Sequence, residues 1–129
     1  MTVHELLPKV QAFLEGTKGL YINGKYVSAK DGKSFAVVDP GTEEQIATVS
    51  EAGVEDINEA VKAAKVAFEE GPWTKMEPAE RSRILYKFAD VLEEHREEIA
   101  QLEAMDSGKP YEVALADDID GTIEHFRYY

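Results

Sequence analysis

At 129 residues, 43% apolar and 31% charged, the chain is the size of one ordinary domain and is expected to fold, burying roughly two-thirds of its unfolded surface. Its 26 acidic residues against 14 basic ones give a net charge of -12, which repels phosphate backbones and anionic lipid and argues against nucleic acid or a membrane surface as partner. No apolar run approaches the roughly 20 residues of a membrane span, and Met1 to Glu15 alternates polar and apolar positions instead of forming a signal-peptide core, so a cytoplasmic protein is expected.

From Val3 to Leu14, the residues Leu6, Leu7, Val10, Phe13 and Leu14 fall at helical spacings, with Pro8 allowed near the helix start and Gly16 closing it. Tyr21 to Tyr26 predicts a hairpin, because Asn23-Gly24 accepts the positive φ angles of a two-residue type I′ turn. Asp31-Gly32 predicts a turn, Ser34 to Val38 a strand, Pro40-Gly41 a turn and Gln45 to Val49 a strand, together a small β-meander. From Val54 to Glu70, Ile57, Val61, Ala64 and Phe68 share one face of a helix, and Ala60, Ala63 and Ala67 allow close approach.

Gly71-Pro72 stops that helix, and Pro78 with Glu80 opens the next. Its apolar stripe runs Leu85, Phe88, Leu92, His95, Ile99, Leu102, with Asp90, Glu93, Glu94, Glu97 and Glu98 elsewhere. Gly108 and Pro110 end it, and Val113 to Tyr129 predicts a further helix despite Gly121. The expected class is α/β, with three or four helices behind the meander, and no repeat or linker divides the chain.

The sequence contains no cysteine, which removes disulfides, thiolate metal sites and cysteine nucleophiles together. The paired glutamates read as a solvated helix face, since acid/base work requires burial or a close charged partner. His95 interrupts an apolar stripe and is either a packed imidazole, the favoured reading, or a buried proton carrier. Asp118, Asp120 and Gly121 match part of a calcium loop, but its first ligand position falls on Ala116 and its closing glutamate on Arg127. His4, His95 and His125 lack zinc spacing. The glycines form neither G-x-G-x-x-G nor a P-loop, so no catalytic or cofactor-binding residue is assigned. Trp73 is either a helix-gap plug, which is favoured, or a stacking platform.

An ordered series of motifs nevertheless resembles the aldehyde dehydrogenase family. It comprises Leu20 to Val27, Val38-Asp39-Pro40-Gly41-Thr42, and Asp56-Ile57 with Ala60 to Ala64 and Ala67-Phe68. It continues through Trp73 with Glu80 to Leu85, Glu103 with Asp106-Ser107-Gly108-Lys109-Pro110, and Phe126 to Tyr129. The likeness is greatest to the broad-specificity, NAD-linked branch. Asp39 stands where the family pattern has asparagine and Glu43 where it has glycine, both within one turn.

The resemblance implies an NAD(P)-dependent oxidoreductase several times this long, taking an aldehyde to a carboxylic acid. In that family a cysteine thiolate attacks the aldehyde, hydride passes from the thiohemiacetal to NAD or NADP, and a glutamate-activated water releases the acid. Residues 1–129 would be the N-terminal part of the coenzyme-binding domain, with the catalytic domain and oligomerisation hairpin outside it. An N-terminal fragment without activity of its own is therefore expected; a non-catalytic binding or assembly module reusing the fold is the alternative, and an independent acid/base enzyme a third. The resemblance also implies a monovalent-cation site from Asp106 and the carbonyls of Val37 and Val38, against a plain role for Asp106 in capping the Gly108 turn. It puts Asp117 and Gly121 near the substrate-channel mouth, where an acid favours polar or cationic aldehydes. Self-association through exposed apolar surface is expected of the isolated chain.

Overall fold

The structure, a computed structural model, describes residues 5–129. His4 and the start of the predicted Val3–Leu14 helix lie outside the described residues. Helix α1 spans Pro8–Leu14, with proline where no intrahelical N–H is required. It buries Val10, and the buried Gln101 holds the chain that leads into it. The Gln101 side-chain oxygen accepts from the Leu7 amide at 2.9 Å, and its NH₂ donates to the Glu5 carbonyl at 3.2 Å.

Five short strands follow: β1 Thr17–Lys18, β2 Leu20–Ile22, β3 Lys25–Val27, β4 Ser34–Val38 and β5 Gln45–Ser50. The hairpin forms as its turn demands, with Asn23 at φ 51° and Gly24 at φ 77°. Tyr21 then stands opposite Tyr26, their rings edge to face at 5.1 Å. The predicted meander is corrected, because the strands divide into two sheets. The β2–β3 ribbon stands apart, while the other sheet runs β1-β5-β4 with β1 parallel and β4 antiparallel to β5.

The separation has a local cause. The loop between β3 and β4 is bonded at Lys30 to the start of helix α2, Val54–Glu70, and β4 pairs with β5 instead of β3. Asp56, 3% exposed, accepts from the Lys30 amide at 3.2 Å and from the Gly53 amide at 2.9 Å. One carboxylate thus closes the first turn of α2 and anchors the loop before β4.

A 3₁₀ turn at Trp73–Lys75 leads to α3, Pro78–Glu94, and α4, Arg96–Ser107. The single long helix expected here is broken at His95, which sits at φ -111°, ψ 13°. The acids explain the benefit of a break: Glu97 and Glu98 become first-turn residues of α4, where the positive helix end favours them. Beyond Gly108 come the single turn α5, Tyr111–Val113, a π-helical stretch at Ala114–Ile119, and α6, Asp120–Tyr128.

The helical core is Ala89 from α3, Ala100 from α4, Ile119 and Ile123, with Leu92, Ile99, Tyr111, Leu115 and Phe126 packed around them. Ala89 lies where α3 packs on α6 and Ala100 where α4 packs on the π-helical stretch, and Phe88 meets Phe126 edge to face at 4.8 Å. Among the described residues, no helix is long and apolar enough to cross a membrane.

Candidate functional site

Strand β4 pairs evenly with β5 until Val37 faces Ala47; the register then shifts so that Val38 faces Gln45. This irregularity falls on the two residues whose carbonyls are the candidate cation ligands, where a bulge loosens the ladder. In the turn that follows, the Asp39 carboxylate accepts from Gly41 N at 2.6 Å and Thr42 N at 3.4 Å. Asp39 therefore makes the bonds to its own turn that an asparagine oxygen would make. Glu43 lies at φ 61°, in the left-handed region where the family's glycine carries no strain.

Gly108 ends α4 at φ 73°, and a Cβ there would lie 2.8 Å from Pro40 Cγ. Only a glycine combines this backbone angle with so close an approach. The last turn of α4, which carries the exposed Asp106, is thereby set against the turn just after Val38. The Gly108 turn is closed by its own amide on the Ala104 carbonyl at 3.0 Å, and Lys109 N donates to Ser107 Oγ at 3.4 Å.

The acidic run after Pro110 is divided among cations. Asp118 accepts from Lys109 Nζ at 2.5 Å, with Glu103 at 3.5 Å, and Asp120 takes Arg96 in a two-pronged pair at 3.1 and 2.6 Å. Asp118 is the main cause holding the Lys109 ammonium above the usual lysine range. Asp117 is exposed on the π-helical stretch, and Gly121 faces open space on the side where a Cβ would project. The Gly121 carbonyl lies 2.6 Å from His125 Nδ1. Among the described residues, no group of three or more His, Cys, Asp or Glu could hold a metal ion.

Of the paired glutamates, Glu93 and Glu98 have basic partners. Arg127 contacts Glu93 and reaches Asp90 at 3.2 Å, and these carboxylates hold its guanidinium above the usual arginine range. Glu98 binds Lys9 Nζ at 2.8 Å and His95 Nδ1 at 2.9 Å. The Lys9 ammonium, followed by His95, holds the Glu98 carboxyl below its usual range. A general acid at neutral pH requires the opposite shift. His95 is thus a half-exposed joint residue bonded to Glu98 rather than a member of a continuous buried stripe. Trp73 stands in the turn joining α2 and α3 and is 40% exposed.

A cleft of about 650 Å³ lies between the hairpin and α2, lined by Ile22, Val27, Ala63 and Val66 with Lys25, Lys62, Glu59 and Glu70 on its wall. Lys25 and Lys62 balance those carboxylates, and the positive-φ glycines at 16, 24, 32 and 108 lie in separate turns. Two structural residues escaped sequence reasoning in different ways. The role of Asp56 was readable as an acid three positions after the helix-capping Gly53, whereas a lone Gln101 carries no comparable signal.

Comparison with known proteins shows what this arrangement belongs to. Residues 26–129 match the model of the aldehyde dehydrogenase family. The mitochondrial aldehyde dehydrogenase family 2 member B4 of Arabidopsis thaliana is 54% identical over 110 residues, covering 85% of this chain and 20% of that one. The NAD+ complex of a Bacillus cereus aldehyde dehydrogenase superimposes with TM-score 0.92 at 58% identity, over 97% of this chain and 26% of that one. A Staphylococcus aureus betaine aldehyde dehydrogenase in complex with NAD+ gives 0.84 at 34% identity, over 93% and 23%. This chain spans about a quarter of the length of the relatives it matches. It belongs to the aldehyde dehydrogenase family and corresponds to an N-terminal portion of that family's enzymes.

Proposed function

We propose that this chain serves as the N-terminal part of the coenzyme-binding domain of an NAD(P)-dependent aldehyde dehydrogenase, and that by itself it turns over no aldehyde. The observation that carries the reading is the conjunction of the family's motifs and fold with a sequence that contains no cysteine. The family's thiol chemistry has no nucleophile here. NAD(P) would supply the hydride acceptor in the whole enzyme, and this chain contributes a scaffold to it. Purified chain mixed with an aliphatic aldehyde and either NAD or NADP should give no increase in reduced coenzyme. Turnover above buffer would overturn the reading.

The same reading assigns a monovalent cation to Asp106 and the carbonyls of Val37 and Val38. The donor set is hard oxygen with a single carboxylate, as suits a weakly charged ion. Support comes from the register shift at Val37/Val38 and the Gly108–Pro40 contact that sets the end of α4 against the next turn. A chimera of the Bacillus cereus enzyme carrying this segment should need at least about tenfold more potassium for full thermal protection after Asp106→Ala. An unchanged midpoint would remove the assignment. Asp117 and Gly121 stand at the channel mouth in this proposal. Asp117→Asn in the chimera should lower kcat/KM for a cationic aldehyde by about three- to tenfold, without changing that for a neutral one.

Two further parts of the proposal concern behaviour outside the site. The isolated chain self-associates weakly through its apolar surface, so sedimentation should give a mass that rises with concentration; a compact monomer throughout would contradict this. The cytoplasm is its compartment, which recovery in a membrane or organelle fraction would disprove.

A further inference from the structure

Strand β4 is an open edge. In the order β1-β5-β4 it pairs with β5 on one side and among the described residues has no strand on the other. Ser34–Val38 carries no charge, and Phe35 is 52% and Val38 46% exposed. At its ends, the Glu51 amide donates to the Lys33 carbonyl and the Asp39 amide to the Glu44 carbonyl, both at 2.9 Å. Lys33, Phe35, Val37 and Asp39 therefore turn their backbone groups toward β5, and those of Ser34, Ala36 and Val38 point outward. The register shift leaves this alternation intact, because the unpaired residue, Ile46, belongs to β5. An uncharged edge of this kind is a template for another strand.

The charges that bound the edge indicate which strand fits. Lys33 and Asp39 stand at equal distances in sequence on either side of Ala36. Two copies paired antiparallel about Ala36 put Ser34 opposite Val38 and Phe35 opposite Val37, an aromatic against a β-branched side chain. The same register puts Lys33 of each copy opposite Asp39 of the other, whereas parallel pairing would set lysine beside lysine and aspartate beside aspartate. The Lys33 side chain is 67% exposed, with Asp31 at 3.0 Å, and Asp39 spends Oδ1 on the Gly41 and Thr42 amides, which leaves Oδ2 for a cation.

We propose that β4 is a self-association edge, occupied by β4 of a second copy of this chain in antiparallel register about Ala36, so that two three-stranded sheets become one. This deepens the weak self-association proposed above and rests on it. Two chains of charge -12 repel, and a five-residue edge buries far less than the roughly 1,200 Å² of a stable interface, so the dimer forms only at high concentration.

Sedimentation equilibrium of the full chain in about 0.15 M salt should show the mass rising from monomer toward dimer. Ala36→Pro removes an outward N–H and no bond to β5, and should raise the dimer dissociation constant at least about tenfold. Lys33→Glu sets like charges opposite each other and should raise it about three- to tenfold. Asp39→Asn keeps the turn bonds; alone it should weaken the dimer, and combined with Lys33→Glu it should recover part of the loss. Circular dichroism checks that each variant folds.

The register is read by crosslinking. Because the chain has no cysteine, Ala36→Cys and Ser34→Cys each supply a single thiol. Residue 36 faces itself at roughly 5.5 Å, whereas residue 34 faces residue 38. A short bis-alkylating reagent should therefore join two Ala36→Cys chains at least about tenfold faster than two Ser34→Cys chains, and equal rates would overturn the register. A monomer at every concentration would overturn this proposal together with the self-association it rests on. A dimer indifferent to Ala36→Pro and Lys33→Glu but lost with Phe68→Glu would assign the contact to α2 and overturn this proposal alone.

Discussion

The helices from α3 to α6 and the front of the molecule carry similar apolar patterns and meet different fates. In the helical half, Ala89, Ala100, Ile119 and Ile123 are enclosed by one another and by the side chains around them. In the front half, Ile57, Val61 and Phe68 on α2 and Phe35 on β4 stay more than half exposed. Periodicity thus identifies an apolar face, while burial depends on whether a partner element exists to cover it. The helical half encloses a small core and still exposes Tyr86, Tyr128 and Tyr129, whereas the apolar side of α2 in the front half is open along its length.

The largest expected effect that would break this contrast lies in the core. Ile123→Ala, at 4% exposure, should cost about 2–4 kcal/mol in urea unfolding, whereas Phe68→Ala should cost under about 0.5 kcal/mol in the isolated chain. Equal losses would show that α2 is covered in solution. Next comes Asp56→Ala, which leaves the Lys30 and Gly53 amides without their acceptor and should cost about 1–3 kcal/mol. Hydrogen exchange should then accelerate at those two amides while the amides of α6 keep their protection. Uniform acceleration would mean that the two halves unfold as one.

A smaller effect is expected from turn strain. Glu43→Gly relieves a left-handed angle at the cost of a more flexible unfolded chain, for a net gain of at most about 1 kcal/mol. A loss of stability would indicate that Glu43 makes a favourable contact outweighing the strain. The smallest concerns pH. Because Lys9 and His95 hold the folded Glu98 carboxyl below its usual range, its stabilisation is complete above the ordinary carboxylate pKa and disappears as pH falls through the lowered value. Glu98→Gln should therefore flatten the acid limb of the stability profile at low salt, and 0.5 M salt should erase most of the difference from the parent chain. An acid limb unchanged by the substitution would deny the Lys9–Glu98 pair any role in attaching α1.

How much of this was legible depended on the kind of signal. The hairpin was readable because Asn23-Gly24 fixes its turn within two residues, and α2 was readable because 17 residues of helix give a period time to repeat. The strand Thr17–Lys18 was not, since two residues cannot display an alternation and its pairing with β5 is a tertiary choice. The break at His95 was hidden by an apolar stripe that continues across it from Leu92 to Ile99. Of the candidate site, Val37, Val38 and Asp106 came from family resemblance alone. Carbonyl ligands leave no trace in side-chain identity, and Asp106 is one acid among many.

The contact between Gly108 and Pro40 has a mechanical consequence. Helix α4 is gripped near its middle by Gln101, through Leu7 and Glu5, and at its end by the turn carrying Pro40. It therefore acts as an axle that ties the chain entering α1 and the turn after β4 to one helix. A side chain at position 108 would push on the Asp39–Glu44 turn as a lever pushes on its load, displacing Val38 from a distance without touching it.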